Sequence, residues 1–225
     1  PVGTMWTNIN GTKNLLDYGR EHSMERFLYV SSGEVYGNGD VDNWKESDSG
    51  YVDCMTLRSC YPTSKRAAET LCVAYSHQYN IEAVVARPCH TFGPHFTDND
   101  TRAYAQFVRN ARNHEDIVLK SRGEQYRSWL YVKDCASAIL TILLKGLNGE
   151  AYNVADVNSC VTIRELAETI AHIGGSKVVF DLPSEVERQG FSVIRKAVFD
   201  TSKLEALEWI PQYKLQEALV ETIKG

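Results

Sequence analysis

The sequence predicts an α/β chain built on a doubly wound parallel sheet. Two observations carry that expectation. Arg26–Ser32 and Ile81–Ala86 are short apolar runs of the kind that form strands buried on both faces. The stretch from Pro62 onward, with Ala67, Ala68, Leu71, Ala74 and Tyr75, is a helix long enough to serve as the crossover between them.

The elements follow in order. Thr7 to about Gly19 reads as a helix with Ile9, Thr12, Leu15 and Leu16 on one face. After the first strand, Gly37 to about Ser59 is a long polar loop, a length uncommon unless it serves a site. Pro62 suits a first helical position. Past Pro94 the texture changes. A helix near Arg102–Arg112 precedes a strand pair at Ile117–Lys120 and Tyr126–Val132, with Ser121-Arg122-Gly123-Glu124 between them. A helix at Lys133–Lys145, a strand at Ala151–Ala155 and a helix capped by Thr162 with Glu165 come next. Leu204–Ile223 closes the chain as helix.

Bulk properties exclude several classes. A net charge of -5 over 225 residues, with no basic cluster, gives nucleic acid nothing to bind. No apolar run approaches the ~20 residues that span a bilayer, so no membrane partner is expected. The start lacks the basic and apolar regions of a signal peptide. The six cysteines are widely spread with no C-x-x-C, which predicts free thiols, no metal and a reducing cytoplasm. A chain that begins with Pro1 and enters a helical pattern almost at once reads as a piece of a longer polypeptide.

In an open parallel sheet, ligands sit at the carboxyl ends of the strands. Ser31-Ser32-Gly33-Glu34 follows the first strand there, Tyr61 opens the next helix, and Arg87-Pro88-Cys89-His90 follows the second strand. Tyr61 and Lys65, four apart, can share one side of a helix. A phenol of pKa ~10 is a poor base at neutral pH, and a nearby ammonium favours its phenolate. The pair could take the proton of a sugar hydroxyl while a nicotinamide accepts the hydride, with Ser32 holding the hydroxyl in line. Tyr-x-x-x-Lys alone is a weak signal among twelve tyrosines. Its place after a strand, a serine pair and a long loop strengthens it.

The chain resembles the extended short-chain dehydrogenase/reductase family, specifically the NAD-dependent epimerases and dehydratases of nucleotide sugars. The resemblance rests on Asn10–Leu16, on Phe27–Gly37 (FLYVSSGEVYG), on Tyr61-Pro62-Thr63-Ser64-Lys65 with Ala68-Glu69, and on Arg87–Pro94. It continues through Arg127–Asp134 and Asp200–Pro211. It implies a partial Rossmann-like sheet with a small α/β substrate-binding domain. Residues 1–94 would be the later part of the NAD-binding domain. Residues 95–225 would mainly bind the nucleotide sugar, with some chain crossing back. It implies Tyr61 as base, Lys65 as its partner and a ribose ligand, Ser32 as the hydroxyl on the sugar, and Glu34 as a candidate second base. Pro88 would lie by the NAD, while His90, Arg127 and Arg195 would hold the nucleotide-diphosphate sugar. A homodimer through the helices at 7–19 and 61–78 is also implied.

The chain departs from the pattern in places. His90 stands where the family usually has asparagine, and Ser128 where an aspartate commonly follows the arginine. The 4,6-dehydratases resemble Thr-Asp-Glu at 32–34 and the decarboxylases Thr-Ser-Glu, whereas epimerases usually lack the glutamate. Ser32-Gly33-Glu34 leaves dehydratase, decarboxylase and epimerase open. No G-x-G-x-x-G occurs in these residues, although close approach of backbone amides to a pyrophosphate needs one. The expectation is a parent enzyme using NAD and a fragment that binds NAD weakly and does not turn over. A non-catalytic nucleotide-sugar binding remnant is the alternative, and a small-carbonyl reductase ranks below both.

Overall fold

The computed structural model describes residues 1–182 and 196–225. The chain divides into two compact units: residues 1–89, 135–155 and 199–210 in the first, and residues 90–134, 156–198 and 211–225 in the second.

The first unit opens with continuous helix. It comprises α1 (Val2–Trp6), a π-helical turn (Thr7–Gly11) and α2 (Thr12–Glu21), so the helix starts five residues ahead of Thr7. The widened turn sets Asn8 against a later helix, α3 (Cys60–Tyr79), where its Nδ2 donates to Ser64 Oγ at 2.9 Å. β1 (Arg26–Val30) and β2 (Glu82–Pro88) then pair in parallel, Arg26 opposite Glu82 through Val30 opposite Ala86. β2 pairs in parallel with β6 (Ala151–Val154) on its other edge. The centre of β2 is buried from Ala83 to Ala86, as a strand covered on both faces must be.

The crossover is α3 (Cys60–Tyr79), entered through a 3-10 turn at Leu57–Ser59. It begins two residues before Pro62, which is therefore its third residue. Proline is tolerated there because the first-turn N–H groups have no intrahelical partner. Leu16, Tyr29, Ala68, Cys72, Tyr75, Ile81, Ala83 and Val85 form the core between helices and sheet.

The second unit contains β3 (His90–Phe92), α4 (Ala103–Arg112), β4 (Ile117–Leu119) and β5 (Tyr126–Tyr131). The strands on either side of residues 121–124 do not pair with each other. β4 pairs with β8 (Val178–Phe180), whereas β5 takes β3, β7 (Cys160–Thr162) and β9 (Lys196–Ala197). Gly123 explains the difference. It is left-handed at φ 69°, and its missing Cβ would lie 2.8 Å from the backbone nitrogen of Arg164, so the link docks on the next helix instead of closing a hairpin. That helix, α6 (Ile163–Gly174), has the expected capping box of Thr162 and Glu165. Its Leu166, Ala167 and Ile170 join Phe107, Val108, Ile117 and Trp129 in the unit's core.

α5 (Val132–Lys145) leads back to β6. The chain end is two short helices, α7 (Ser202–Glu205) and α8 (Leu215–Lys224), not one. Pro211 cannot continue a helix. The Asp134 carboxylate instead accepts from the amides of Gln212 at 2.9 Å and Tyr213 at 3.1 Å. Among the described residues no helix is long and apolar enough to cross a membrane.

Candidate active site

Strand β1 delivers its carboxyl end straight into the turn that bears the predicted hydroxyl. Ser32 is the N-cap of a 3-10 turn at Gly33–Tyr36, and its Oγ accepts from the Glu34 amide at 3.2 Å. The turn is tied to α3 by Arg66, whose Nε donates to Val35 O at 2.6 Å. Glu34 pairs with Arg58 at 3.1 Å just ahead of α3, an exposed ion pair that adds little to the fold's stability.

Tyr61 and Lys65 occupy one side of α3, the Lys65 ammonium lying 5.8 Å from the Tyr61 ring centre. That ammonium donates to Val30 O at 2.8 Å and sits 4.9 Å above the Tyr29 ring. Burial lowers the Lys65 pKa from its ordinary value, opposed by the neighbouring Glu69 carboxylate. Ser31 Oγ, one residue past Val30, is buried without a hydrogen-bond partner. Burial raises the Tyr29 phenol well above the usual tyrosine range.

Five of the anticipated residues therefore fall in the first unit: Ser32, Glu34, Tyr61, Lys65 and Pro88, the last ending β2 opposite Val154. His90 and Arg127 fall in the second. His90 is exposed, its ring 5.4 Å from that of Trp129. Arg127 is buried, with Nη1 donating to Tyr126 O at 2.9 Å. Arg195 lies outside the described residues.

A polar network behind the turn was not anticipated. Arg87 grips Glu69 with two bonds of 3.0 and 2.7 Å, and its Nη1 donates to Tyr36 OH at 3.1 Å and to Glu46 O at 3.0 Å. Tyr36 OH donates in turn to Asn153 Oδ1 at 2.6 Å. Asn153 is fully buried; its Nδ2 donates to Trp44 O at 2.9 Å and Asp200 O at 3.0 Å, and its amide to Glu46 Oε1 at 2.8 Å. Burial pushes the Tyr36 phenol up to about 12, so it stays a donor. The only hint in the sequence is the Arg87-Pro88 step.

Residues 1–155 match the NAD dependent epimerase/dehydratase family. The chain is 33% identical over 223 residues to UDP-glucuronic acid decarboxylase 3 of Arabidopsis thaliana, covering 97% of this chain and 62% of the relative. It thus spans about three fifths of that protein's length. The dTDP-glucose 4,6-dehydratase of Bacillus anthracis, solved in complex with NAD, superposes with a TM-score of 0.82 at 26% identity, over 98% of this chain and 67% of the other. The UDP-glucose 4-epimerase of Thermotoga maritima, solved with UDP-glucose, shares the fold with a TM-score of 0.85 at 24% identity, over 98% and 69%. The chain belongs to the NAD-dependent epimerase/dehydratase family.

Proposed function

We propose that the protein containing these residues acts on a nucleotide-diphosphate sugar, oxidising a ring hydroxyl with NAD before elimination, decarboxylation or epimerisation. The observation that carries this is the Tyr61–Lys65 pair on one side of α3, next to the strand end that leads to Ser32. NAD, when bound, supplies the hydride acceptor.

The donor set suits the nicotinamide-ribose end of that cofactor. Lys65 uses one of its three N–H groups on Val30 O, which leaves donors for a ribose diol. Ser31 Oγ adds a buried hydroxyl with no partner at the same strand end. In this reading Tyr61 takes the proton from the sugar hydroxyl and Lys65 keeps positive charge beside the phenol. Ser32 orients the hydroxyl. Glu34, paired with Arg58, would serve as a carboxylate for a second proton transfer. The likeness to UDP-glucuronic acid decarboxylases supports a uridine nucleotide and the decarboxylation branch. The second unit, with His90 and Arg127, would bind the nucleotide diphosphate.

Three outcomes are expected. Tyr61→Phe in the full-length gene product, assayed with NAD and UDP-glucuronic acid, should lower kcat by on the order of 10²–10⁴. A variant with unchanged kcat removes Tyr61 from the chemistry. The Lys65 ammonium, followed by NMR in labelled protein, should titrate below its ordinary value of 10.5. An upward shift contradicts the burial described here. The 225 residues alone lack a G-x-G-x-x-G loop for the pyrophosphate. Calorimetry with NAD should therefore give little or no heat, and clear micromolar binding would show that the phosphates are held some other way.

A further inference from the structure

The turn that carries Ser32 and Glu34 has a gap in its side chains at Gly33, and a residue from far along the chain fills it. A Cβ built on Gly33 would collide with the Phe199 ring, touching Cζ and lying 2.8 Å from Cε1. Phe199 is buried at 3% exposure, so the ring has no solvent to swing into. Its other neighbour is the Tyr36 ring, 5.7 Å away centre to centre. Its backbone is fixed as well. Phe199 bridges Trp44 in the long loop, and the Asp200 amide donates to Trp44 O at 2.9 Å. Asp200 O in turn accepts from Asn153.

We propose that Phe199 is a positioning residue of the site, its ring taking the place of the side chain that position 33 lacks. The ring then sets the pitch of the turn, so that only the Ser32 hydroxyl and the Glu34 carboxylate are presented and no acid can act from position 33. A proton given to a departing group therefore comes from a group other than residue 33. Phe199 and Gly33 thus form one steric unit that fixes the turn carrying Ser32 and Glu34. The functional half of this statement rests on the reading of Ser32 and Glu34 as site residues. The steric half does not.

The test is a double-mutant cycle on this chain with Gly33→Ser, Phe199→Leu and the pair together. Leucine lacks the far edge of the ring, the atoms that meet the built Cβ. Gly33→Ser alone should lower Tm by on the order of 5 °C through overpacking. It should also speed hydrogen exchange of the Glu34 amide, which is bonded to Ser32 Oγ. The double variant should melt at or above Gly33→Ser and recover the Glu34 protection, because the two changes share one volume. Shifts that simply add, or a Glu34 amide indifferent to both residues, overturn the proposal. If Gly33→Ser does not fold, a folded double variant supports the proposal. A double variant that fails while Phe199→Leu folds contradicts it. Both readouts are taken without nucleotide sugar or NAD, so failure of the proposed activity leaves them intact.

Discussion

The first unit depends on one constraint: the groups behind the Ser32 turn are buried and polar, so each must find a partner inside the protein. The half-buried Arg87 guanidinium without Glu69 would lose both bonds of its ion pair and keep a poorly solvated charge. Asn153 joins the strand β6 to the Tyr36 phenol, the Trp44 carbonyl and the Asp200 carbonyl. Leaving those groups unpaired would cost about 1–3 kcal/mol each. Sheet, long loop and chain end are therefore fastened at one point. The loop after the turn is long, yet it is tied down in its middle at Trp44 and Glu46.

This arrangement separates two tasks along a short stretch of chain. The proposed site residues Ser32, Tyr61 and Lys65 lie at the strand end, where Ser32 Oγ and the Lys65 ammonium each bond to backbone. The polar groups of Tyr36, Arg87 and Asn153 go to one another through the Tyr36 hydroxyl and to Glu46, Glu69, Trp44 and Asp200. Arg66 shows the division most plainly. It lies one residue past Lys65, yet its guanidinium goes to the carbonyls of Val35, Tyr36 and Gly50 and holds the turn to α3. A site built this way is preorganised by hydrogen bonds that no substrate needs to supply.

Much of this was legible in the sequence where periodicity or local chemistry speaks. The parallel strands β1 and β2, the α3 crossover and the Thr162 capping box follow from apolar runs and short-range spacing. Tyr61 and Lys65 were legible because a helix brings positions four apart together. The rest depends on contacts that no local pattern encodes. Strands β3, β7 and β9 have two or three residues each, too few to show a period. The link between α7 and α8 turns at Glu208, left-handed at φ 65°, and is then held by Asp134, which lies in another element. Asn153 looks like an ordinary polar residue in a strand, and Phe199 like an ordinary apolar one. Their partners are far away in sequence, so only the fold reveals them.

The most direct test of the preorganised turn is hydrogen exchange of the Asn153 side-chain amide in the free protein. Its two protons are bonded to Trp44 O and Asp200 O, so the account predicts exchange only through global unfolding, with a dependence on denaturant matching that of the core strands. Exchange through a low-energy local opening, faster than the amides of β2 and insensitive to denaturant, would show that the loop detaches on its own. In that case the turn would not be held in place before substrate arrives.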